Sequence, residues 1–519
     1  MSLKDLADEL KRKRDEIALM GGAERVEKQH GRGKLTARER IDRLFDPGTF
    51  LEVGIHGTQM MGARPTPADA CICGYGKVRG RPAAVIAYDF TVLGGSIGET
   101  GERKATRIRE IALKERIPVI WLIDSAGARI SPQDHVHGDQ LSLFAGSGYL
   151  FKEQVLMSGV VPQVAAMVGP GAAGTAYIPG LADFVPMVKG TSSMALGGPP
   201  LVKAVVGEDI SEEDLGGSKV HNEISGVADL EVENDDACLD AVKEYLSFFP
   251  SHSGEKPARA PFTGDASALL DDKILSVVPD NTRQGYDMKK LIRLLTDDGK
   301  LFEMKPKWAK NLVTGFARIG GYAVGIVANN PMFLGGALDV NAADKAARFV
   351  WLCDAFDIPL LFLADTPGFL IGSKMEQSGV IRHGAKMLYA VSEATVPKIT
   401  VVVRKSYGAG YYVMCGRAYD PDLIVAWPTG EISVMGAEGM AGIATKKLEG
   451  GDPAELEAAK KAVADSIRPL INIYKVAGWG LVDDVIDPRE TRAKVFLALE
   501  LTRNKTVERP ARKHGVLPV

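Results

Sequence analysis

Two glycine-containing loops in each half of the chain could bind a negatively charged oxygen. They are residues 124–129 and 169–176 in the first half, and residues 365–368 and 406–410 in the second. Each loop follows an apolar run typical of a buried strand and precedes a stretch with helical spacing. Small residues let a ligand approach the backbone, and the first N–H groups of a helix have no intrahelical acceptor. These loops therefore predict oxyanion holes, in which each donor contributes about 3–4 kcal/mol.

The amides that could donate at these loops belong mostly to small residues. Pro367 has no N–H group, so a donor in the third loop would be Gly368 or the following Phe369. In chain order, the candidate residues are Ala126, Gly127, Ala173, Gly174, Gly368, Phe369, Ala409 and Gly410. A single glycine usually serves a turn or close packing, but matching pairs in both halves favour a binding role.

The sequence repeats itself, which indicates two copies of one domain. Leu93–Gly95 recurs as Leu334–Gly336, and Asp124 recurs as Asp365, both at an offset of 241 residues. Further along the chain the offset falls to 235 residues. In each copy, apolar strands alternate with helices, which predicts an α/β fold with buried strands.

A segment between the two copies has the composition of an exposed linker. Residues 250–261 are rich in Pro, Ser, Gly and charged side chains. We therefore predict an N-terminal domain over residues 1–255 and a C-terminal domain over residues 262–519.

Composition and charge exclude several classes of function. The 519 residues include 63 Lys and Arg against 66 Asp and Glu, which gives a net charge of −3. That balance argues against binding to nucleic acid or to a membrane surface as the main role. Five scattered cysteines form no disulfide framework, and no apolar run is long enough to cross a membrane. These features predict a cytoplasmic protein.

Two sequence motifs favour other enzyme classes, but neither is complete. The run from Gly169 to Gly174 fits the dinucleotide fingerprint G-x-G-x-x-G, yet no acidic residue follows near Val188. The run from Gly94 to Gly98 fits the hydrolase pattern G-x-S-x-G. Its counterpart in the second copy has Ala337 at the serine position, and a histidine partner such as His221 is not indicated by spacing. Both interpretations are therefore disfavoured.

Sites for a metal ion and for a nucleotide triphosphate are not predicted. His135 and His137 stand apart from any spaced set of cysteines or histidines, and Cys71 and Cys73 lack a second pair. The chain contains no G-x-x-x-x-G-K-[ST] loop, so it has no recognisable P-loop. It also lacks the Met-Lys-Met tripeptide that carries biotin; Lys386 is preceded by Ala385.

Nearly the whole chain resembles one known family. The first half contributes the stretches KLTARERIDRLFDPGTFLE, YDFTVLGGSIGE, IDSAGARI and MSGVVPQVAAMVGPGAAGTAY. The second half contributes ANNPMFLGGALD, DTPGFLIGS, KITVVVRKSYGAGYYVM and AWPTGEISVMGAEG. These stretches resemble the carboxyltransferase, or β, subunits of biotin-dependent acyl-CoA carboxylases, such as propionyl-CoA and methylcrotonyl-CoA carboxylases. The resemblance implies an α/β fold made by tandem duplication of a crotonase-like (ClpP/crotonase) domain.

The resemblance also implies a reaction and the residues that serve it. Carboxybiotin would give up its carboxyl group, and the biotin nitrogen would take the α-proton of the acyl-CoA, so no side-chain base is needed. By position, Ala173 and Gly174 match the hole for the acyl-CoA oxygen in the N-terminal domain. Ala409 and Gly410 match the hole for the biotin oxygen in the C-terminal domain.

The expected partners follow from the same resemblance. Biotin would be carried in trans on a carrier protein or domain, with a biotin carboxylase as a further partner. The family commonly forms a hexamer that is a dimer of trimers. Two alternatives remain open: a subunit of a biotin-dependent, sodium-pumping decarboxylase, which runs the same half-reaction backwards, and a non-catalytic scaffold.

The acyl group is not fixed by the sequence, because some residues depart from the propionyl-type pattern. Ala126 replaces a glycine, and Tyr412 stands where propionyl-type members often have Asp. Other features look more like the methylcrotonyl type. We predict that Tyr412 borders the acyl pocket, and that Ala126, Gly127, Arg129, Gly368 and Phe369 contribute to substrate binding.

Overall fold

The computed structural model describes residues 1–59, 66–129, 148–448 and 450–519. The chain divides into two compact units, residues 1–255 and residues 256–519. Each unit contains one mixed sheet with helices packed against it.

The described residues of the first unit form one sheet, in the order β1-β2-β3-β4-β5-β6-β8, with β7 paired to β5. Its strands are β1 (Leu51–Val53), β2 (Cys71–Val78), β3 (Arg81–Tyr88), β4 (Val119–Ser125), β5 (Gln163–Ala172), β6 (Pro186–Val188), β7 (Ser193–Ala195) and β8 (Leu230–Val232). Strands β1 to β3 are antiparallel, whereas β3, β4 and β5 run parallel. Its helices are α1 (Leu3–Ala18), α2 (Ala23–His30), α3 (Ala37–Leu44), α4 (Glu99–Glu115), α5 (Tyr149–Met157), α6 (Tyr177–Leu181), α7 (Pro199–Val206), α8 (Glu212–Gly216) and α9 (Asp235–Phe248).

The second unit repeats this arrangement, in the order β9-β10-β11-β12-β13-β14-β16, with β15 paired to β13. Its strands are β9 (Phe302–Met304), β10 (Leu312–Ile319), β11 (Tyr322–Asn329), β12 (Leu360–Thr366), β13 (Lys398–Tyr407), β14 (Leu423–Ala426), β15 (Glu431–Ser433) and β16 (Asp484–Val485). Its helices are α10 (Met288–Leu295), α11 (Val340–Ala355), α12 (Ser373–Gln377), α13 (Val380–Glu393), α14 (Ala409–Val413), α15 (Ala437–Ala444), α16 (Pro453–Ile467), α17 (Ile473–Gly478) and α18 (Thr491–Leu501).

The central strands are buried on both faces, as their uninterrupted apolar sequence predicts. All residues of β4 and of β12 are buried. Helix α4 packs against β2 and β3 and buries Ala105, Ile108 and Ala112, which share one face at helical spacing. The core of each sheet therefore fixes the position at which its parallel strands end.

Both units share one irregularity at the end of the central strand pair. The pairing of β4 with β5 shifts so that Ser125 lies opposite Gly171. The pairing of β12 with β13 shifts at the matching place, and Thr366 lies opposite Ser406. The bounds of the paired strands therefore follow the offsets of 241 and 235 residues that the sequence predicts.

One part of the predicted loops is strand instead. Strand β5 continues to Ala172, because residues 170–172 pair with β7. Strand β13 continues to Tyr407, because residues 405–407 pair with β15. The short strands β7 and β15 supply partners that were not recognised in the sequence. The prediction of a loop at residues 169–172 and 406–407 was therefore wrong, and the turns begin at Ala173 and Gly408.

Candidate active site

The turn after β5 places Ala173 and Gly174 at the start of a short helical segment. A 3₁₀ turn covers Ala173–Ala176 and leads directly into α6. Ala173 has a φ of +52°, a left-handed conformation that is uncommon for a residue with a side chain. The Thr175 hydroxyl donates to the carbonyl of Ala172 at 2.7 Å and so closes the turn. The amides of Ala173 and Gly174 are at helix positions that have no intrahelical acceptor.

The turn after β13 places Ala409 and Gly410 at the start of α14. Gly408 precedes the helix with a φ of +55°, and its amide donates to the carbonyl of Ser433 at 2.9 Å. The amide of Tyr411 already donates to Gly408 within the first turn, at 3.1 Å. The amides of Ala409 and Gly410 therefore stand first and second in the helix, again without an intrahelical acceptor.

The two turns are not equivalent residue by residue. The strand register places Ala173 opposite Gly408 in the comparison of the two units, and so pairs Gly174 with Ala409. The candidate pair of the second unit thus lies one residue further along the chain. The bond from Gly408 to Ser433 gives the physical reason, because it occupies the first amide of that turn.

The loops after β4 and β12 use most of their own amides inside the protein. The N–H of Ala126 donates to the carbonyl of Gly94 at 2.8 Å, and that of Gly127 donates to Ser125 Oγ at 3.1 Å. In the second unit the N–H of Gly368 donates to Thr366 Oγ1 at 3.1 Å. These bonds favour the turns after β5 and β13 as the source of oxyanion donors.

Each unit nevertheless brings its two predicted loops together. A Cβ atom added to Gly127 would lie 2.7 Å from the carbonyl oxygen of Ala172 and 3.5 Å from Ala173 Cβ. A Cβ atom added to Gly410 would lie 2.9 Å from Gly368 Cα. The glycines at these positions allow the backbones of the two loops to touch, which supports the shape of the turns.

The contact between the loops predicts a cost for a side chain at Gly127. This residue has a φ of +94°, so Gly127→Ala would combine backbone strain with the collision at Ala172. We expect the free energy of unfolding to fall by about 1–3 kcal/mol, measured by urea denaturation. The control is Gly174→Ala, whose added Cβ has Phe151 Cζ as its nearest atom, at 3.6 Å. Equal stability of the two variants would contradict the packing role of Gly127.

A buried carboxylate ends the central strand of the first unit. Asp124 is fully buried and accepts from Lys34 Nζ at 2.7 Å and from Arg40 at 2.9 Å. Burial lowers the pKa of Lys34, and Asp124 opposes that shift. A Cβ atom on Gly169 would lie 1.9 Å from Asp124 Oδ1, so this ion pair requires glycine there. The network anchors the first residue of the loop 124–129 to the N-terminal segment.

The second unit keeps the carboxylate but takes its cation from another element. Asp365 is fully buried and accepts from Arg404 at 3.0 Å and from the Tyr286 hydroxyl at 2.9 Å. Burial raises the pKa of Asp365, and Arg404 opposes the rise. Arg404 stands in the strand register where the first unit has Gly169. The motif search did not single out these ion pairs, although Asp124 and Asp365 share the repeat offset.

Arg129 lies beside the first loop but is already bound. Its guanidinium forms an ion pair with Asp69 at 2.5 Å and donates to the Ser96 hydroxyl at 3.1 Å and to the Ser96 carbonyl at 3.0 Å. Asp69 also accepts from the amide of Gly101 at 2.7 Å. These contacts favour Arg129 as a residue that positions the loop, and substrate binding by it stays a prediction.

Tyr412 and Phe369 lie on opposite sides of their turns. Tyr412 is exposed on α14, and its ring centroid is 6.1 Å from that of Tyr411 and 6.0 Å from that of Tyr419. Phe369 packs against α13, where its ring atoms would lie 3.2 Å from a Cβ on Gly384. Tyr412 is thus available to a ligand beside Ala409, whereas Phe369 supports the turn.

The histidines give no sign of hydrolase or metal chemistry in the described parts of the chain. His221 Nε2 bonds to the carbonyl of Met194 at 2.8 Å, and His221 Nδ1 bonds to the Ser225 hydroxyl at 2.8 Å. Burial lowers the pKa of His221. His135 and His137 lie outside the described residues. Within the described ranges, no group of three potential ligands could hold a metal ion, and no helix is long and apolar enough to cross a membrane.

Comparison with known proteins gives one consistent result. The model of the carboxyl transferase domain family matches residues 28–517. The chain is 43% identical to the propionyl-CoA carboxylase beta chain of Roseobacter denitrificans, over 100% of both chains. It is 44% identical to the methylmalonyl-CoA decarboxylase subunit alpha of Veillonella parvula, over 96% of each. The crystal structure of transcarboxylase 12S, a hexamer with hydrolysed methylmalonyl-coenzyme A bound, superimposes with a TM-score of 0.92 at 44% identity, covering 100% of this chain and 99% of the other.

Proposed function

The chain belongs to the carboxyl transferase domain family, and on that premise we propose that its two units hold two different oxygens during carboxyl transfer. It is the carboxyltransferase subunit of a propionyl-CoA carboxylase-type enzyme and acts on an acyl-CoA. The proposal assigns the acyl-CoA oxygen to Ala173 and Gly174, and the biotin oxygen to Ala409 and Gly410. One observation carries it: each unit begins a helical turn at the end of its central parallel strands, with two leading amides that lack an intrahelical acceptor.

The chemistry needs a place for negative charge at the acyl-CoA. Loss of the α-proton moves charge onto the thioester oxygen, and fixed amides stabilise this oxygen more as its charge grows. The amides of Ala173 and Gly174 are held by a turn that the Thr175 hydroxyl closes, so they need little rearrangement. When bound, biotin supplies the carboxyl group and the nitrogen that accepts the α-proton. The amides of Ala409 and Gly410 then stabilise charge on the second oxygen.

The partners and assembly are a finer part of the proposal. We propose that biotin arrives in trans on a carrier protein, that a biotin carboxylase completes the system, and that the chain forms a homohexamer. Support comes from the hexamer of transcarboxylase 12S, which matches this chain over its full length. Cytoplasmic location is part of the same proposal.

A second candidate function differs only in direction. The identity of 44% over 506 residues to a methylmalonyl-CoA decarboxylase subunit supports removal of the carboxyl group from an acyl-CoA as the physiological reaction. The two directions use the same amides, so the site does not favour one. Supply of the biotinylated partner with ATP and bicarbonate distinguishes them, because only a carboxylase system fixes bicarbonate.

The proposed function is tested with the purified chain and its biotinylated partners. A panel of short and branched acyl-CoAs is incubated with labelled bicarbonate and ATP, and acid-stable label in the acyl-CoA is counted. We expect label in at least one short acyl-CoA. Transfer of a carboxyl group only from malonyl-type thioesters to biotin would identify the decarboxylase. No exchange in either direction would contradict the proposal and support a non-catalytic scaffold.

Tyr412 is expected to influence which acyl group is accepted. Its exposed ring stands three residues after Ala409, beside the proposed biotin oxygen. We expect Tyr412→Asp and Tyr412→Ala to change the ratio of kcat/KM for propionyl-CoA over a branched acyl-CoA by about 10-fold, since a pocket difference of one methylene has effects of that order. Tyr474→Ala, at an exposed tyrosine on α17, is the matched control. An unchanged ratio in both Tyr412 variants would remove Tyr412 from the acyl pocket.

A further inference from the structure

A cavity in the first unit lies between α2 and the segment that follows β3. Its volume is about 290 Å³. It is lined by Arg25, Lys28, Gln29, Arg32, Phe90, Thr91, Leu93 and Gly94. None of these residues belongs to the pairs assigned to the oxyanions.

The cavity is basic because of the spacing of three cations. Arg25, Lys28 and Arg32 stand at positions i, i+3 and i+7, which places them on one face of α2 and its continuation. The carboxylates of the same helix, Glu24 and Glu27, do not line the cavity. Within the described residues, none of the three cations forms an ion pair with a carboxylate. Their charge is thus available to an anionic ligand.

The floor of the cavity is built from buried contacts. Gln29 is buried, and its side-chain amide donates to Asp124 Oδ2 at 2.9 Å. Lys34, the ion-pair partner of Asp124, stands over the Phe90 ring at 4.9 Å from its centroid. Arg25 donates to the carbonyl of Thr91 at 3.2 Å, which joins α2 to the far wall. The cavity is therefore fixed to the same ion pair that anchors the loop 124–129.

The cavity also leads toward the proposed oxyanion site. The carbonyl of Gly94, on its wall, accepts the amide of Ala126 at 2.8 Å. The next residue, Gly127, touches the turn at Ala172 and Ala173. The path therefore follows the carboxyl ends of β3, β4 and β5, which are adjacent and parallel, and where α/β sheets usually bind ligands. Adjacent strands lie about 4.8 Å apart, so this path spans about 10 Å across the sheet.

An elongated ligand with a thioester at one end and phosphates at the other fits this layout. We propose that Arg25, Lys28 and Arg32 bind the phosphates of the nucleotide end of coenzyme A, either its 3′-phosphate or its diphosphate. Guanidinium groups suit phosphate because their N–H donors match its oxygens in pairs. This inference rests on the proposed function, because it takes the acyl-CoA thioester to lie at Ala173 and Gly174.

The test measures affinity for three ligands that differ only in their phosphates. Propionyl-CoA, its 3′-dephospho form and propionyl-pantetheine are titrated by calorimetry into the wild-type chain and into the double variant Lys28→Gln and Arg32→Gln. We expect the double variant to bind propionyl-CoA at least about 10-fold more weakly, with unchanged affinity for propionyl-pantetheine. The matched control is Lys11→Gln with Arg14→Gln, which removes the same charge from the exposed helix α1.

Each outcome decides one point. If the variant also loses the difference between propionyl-CoA and its dephospho form, the cavity binds the 3′-phosphate; if that difference remains while affinity falls, it binds the diphosphate. Equal affinity of wild type and double variant for propionyl-CoA would overturn the inference. Carboxyl transfer to propionyl-pantetheine reports separately on the reaction, so its loss in the wild type would contradict the proposed function instead.

Discussion

Replacing Ala409 by proline is expected to slow carboxyl transfer to biotin by about 100- to 1,000-fold, the usual cost of one oxyanion donor. Ala409 is the first residue of α14, where proline fits a helix and removes only an N–H that has no intrahelical acceptor. Gly408 before it has a ψ of −140°, outside the helical region that a following proline disfavours. The substitution therefore removes one donor and leaves the turn intact. The measurement is kcat with free biotin as acceptor.

The control for this prediction keeps the amide and changes the side chain. Ala409 is exposed, so Ala409→Ser should fold normally and retain most of the rate. Affinity for the acyl-CoA should be unchanged in both variants, because that ligand is assigned to the first unit. A proline variant that folds and retains the wild-type rate would show that the Ala409 amide does not bind the reacting oxygen.

Replacing Gly174 by proline is expected to have an effect of the same size on the acyl-CoA side. Gly174 is the second residue of the turn Ala173–Ala176, so proline again removes an N–H without an intrahelical acceptor. We expect kcat to fall by about 100- to 1,000-fold. Gly174→Ala is the control, because its Cβ has room and its amide remains.

A binding measurement separates the roles of the two pairs. A CoA analogue with a stable anionic oxygen in place of the enolate oxygen should bind about 100-fold more weakly to Gly174→Pro. Its affinity for Ala409→Pro should match the wild type. If the two proline variants lose affinity for the analogue equally, the assignment of one oxygen to each unit is wrong.

The repeat in the sequence predicted the fold well because it is a property of the local chain. The apolar runs around Trp121 and Phe362 become the buried strands β4 and β12, at the predicted offset of 241 residues. The bounds of β5 were less predictable, because its last residues are strand only through pairing with β7. Such pairing joins residues that are distant in sequence, and no local pattern announces it.

The site was predictable in outline, and its supports were not. Small residues and apolar strands located the turns at Ala173 and Ala409. The one-residue difference between these turns depends on a bond from Gly408 to Ser433, which only the folded sheet brings together. Likewise, nothing local shows that Lys34 in one unit does the work of Arg404 in the other, since Lys34 is 90 residues away from Asp124 in sequence.

The most direct test of carboxyl transfer by two separate amide pairs follows a labelled carboxyl group. Methylmalonyl-CoA labelled in its free carboxyl carbon is mixed with free biotin and the purified chain, and label is measured in the biotin fraction. We expect label to reach biotin with the wild type, Ala409→Ser and Gly174→Ala, and to fall by at least about 100-fold with Ala409→Pro and with Gly174→Pro. Absence of transfer by the wild type, or wild-type transfer by both folded proline variants, would contradict the proposed mechanism.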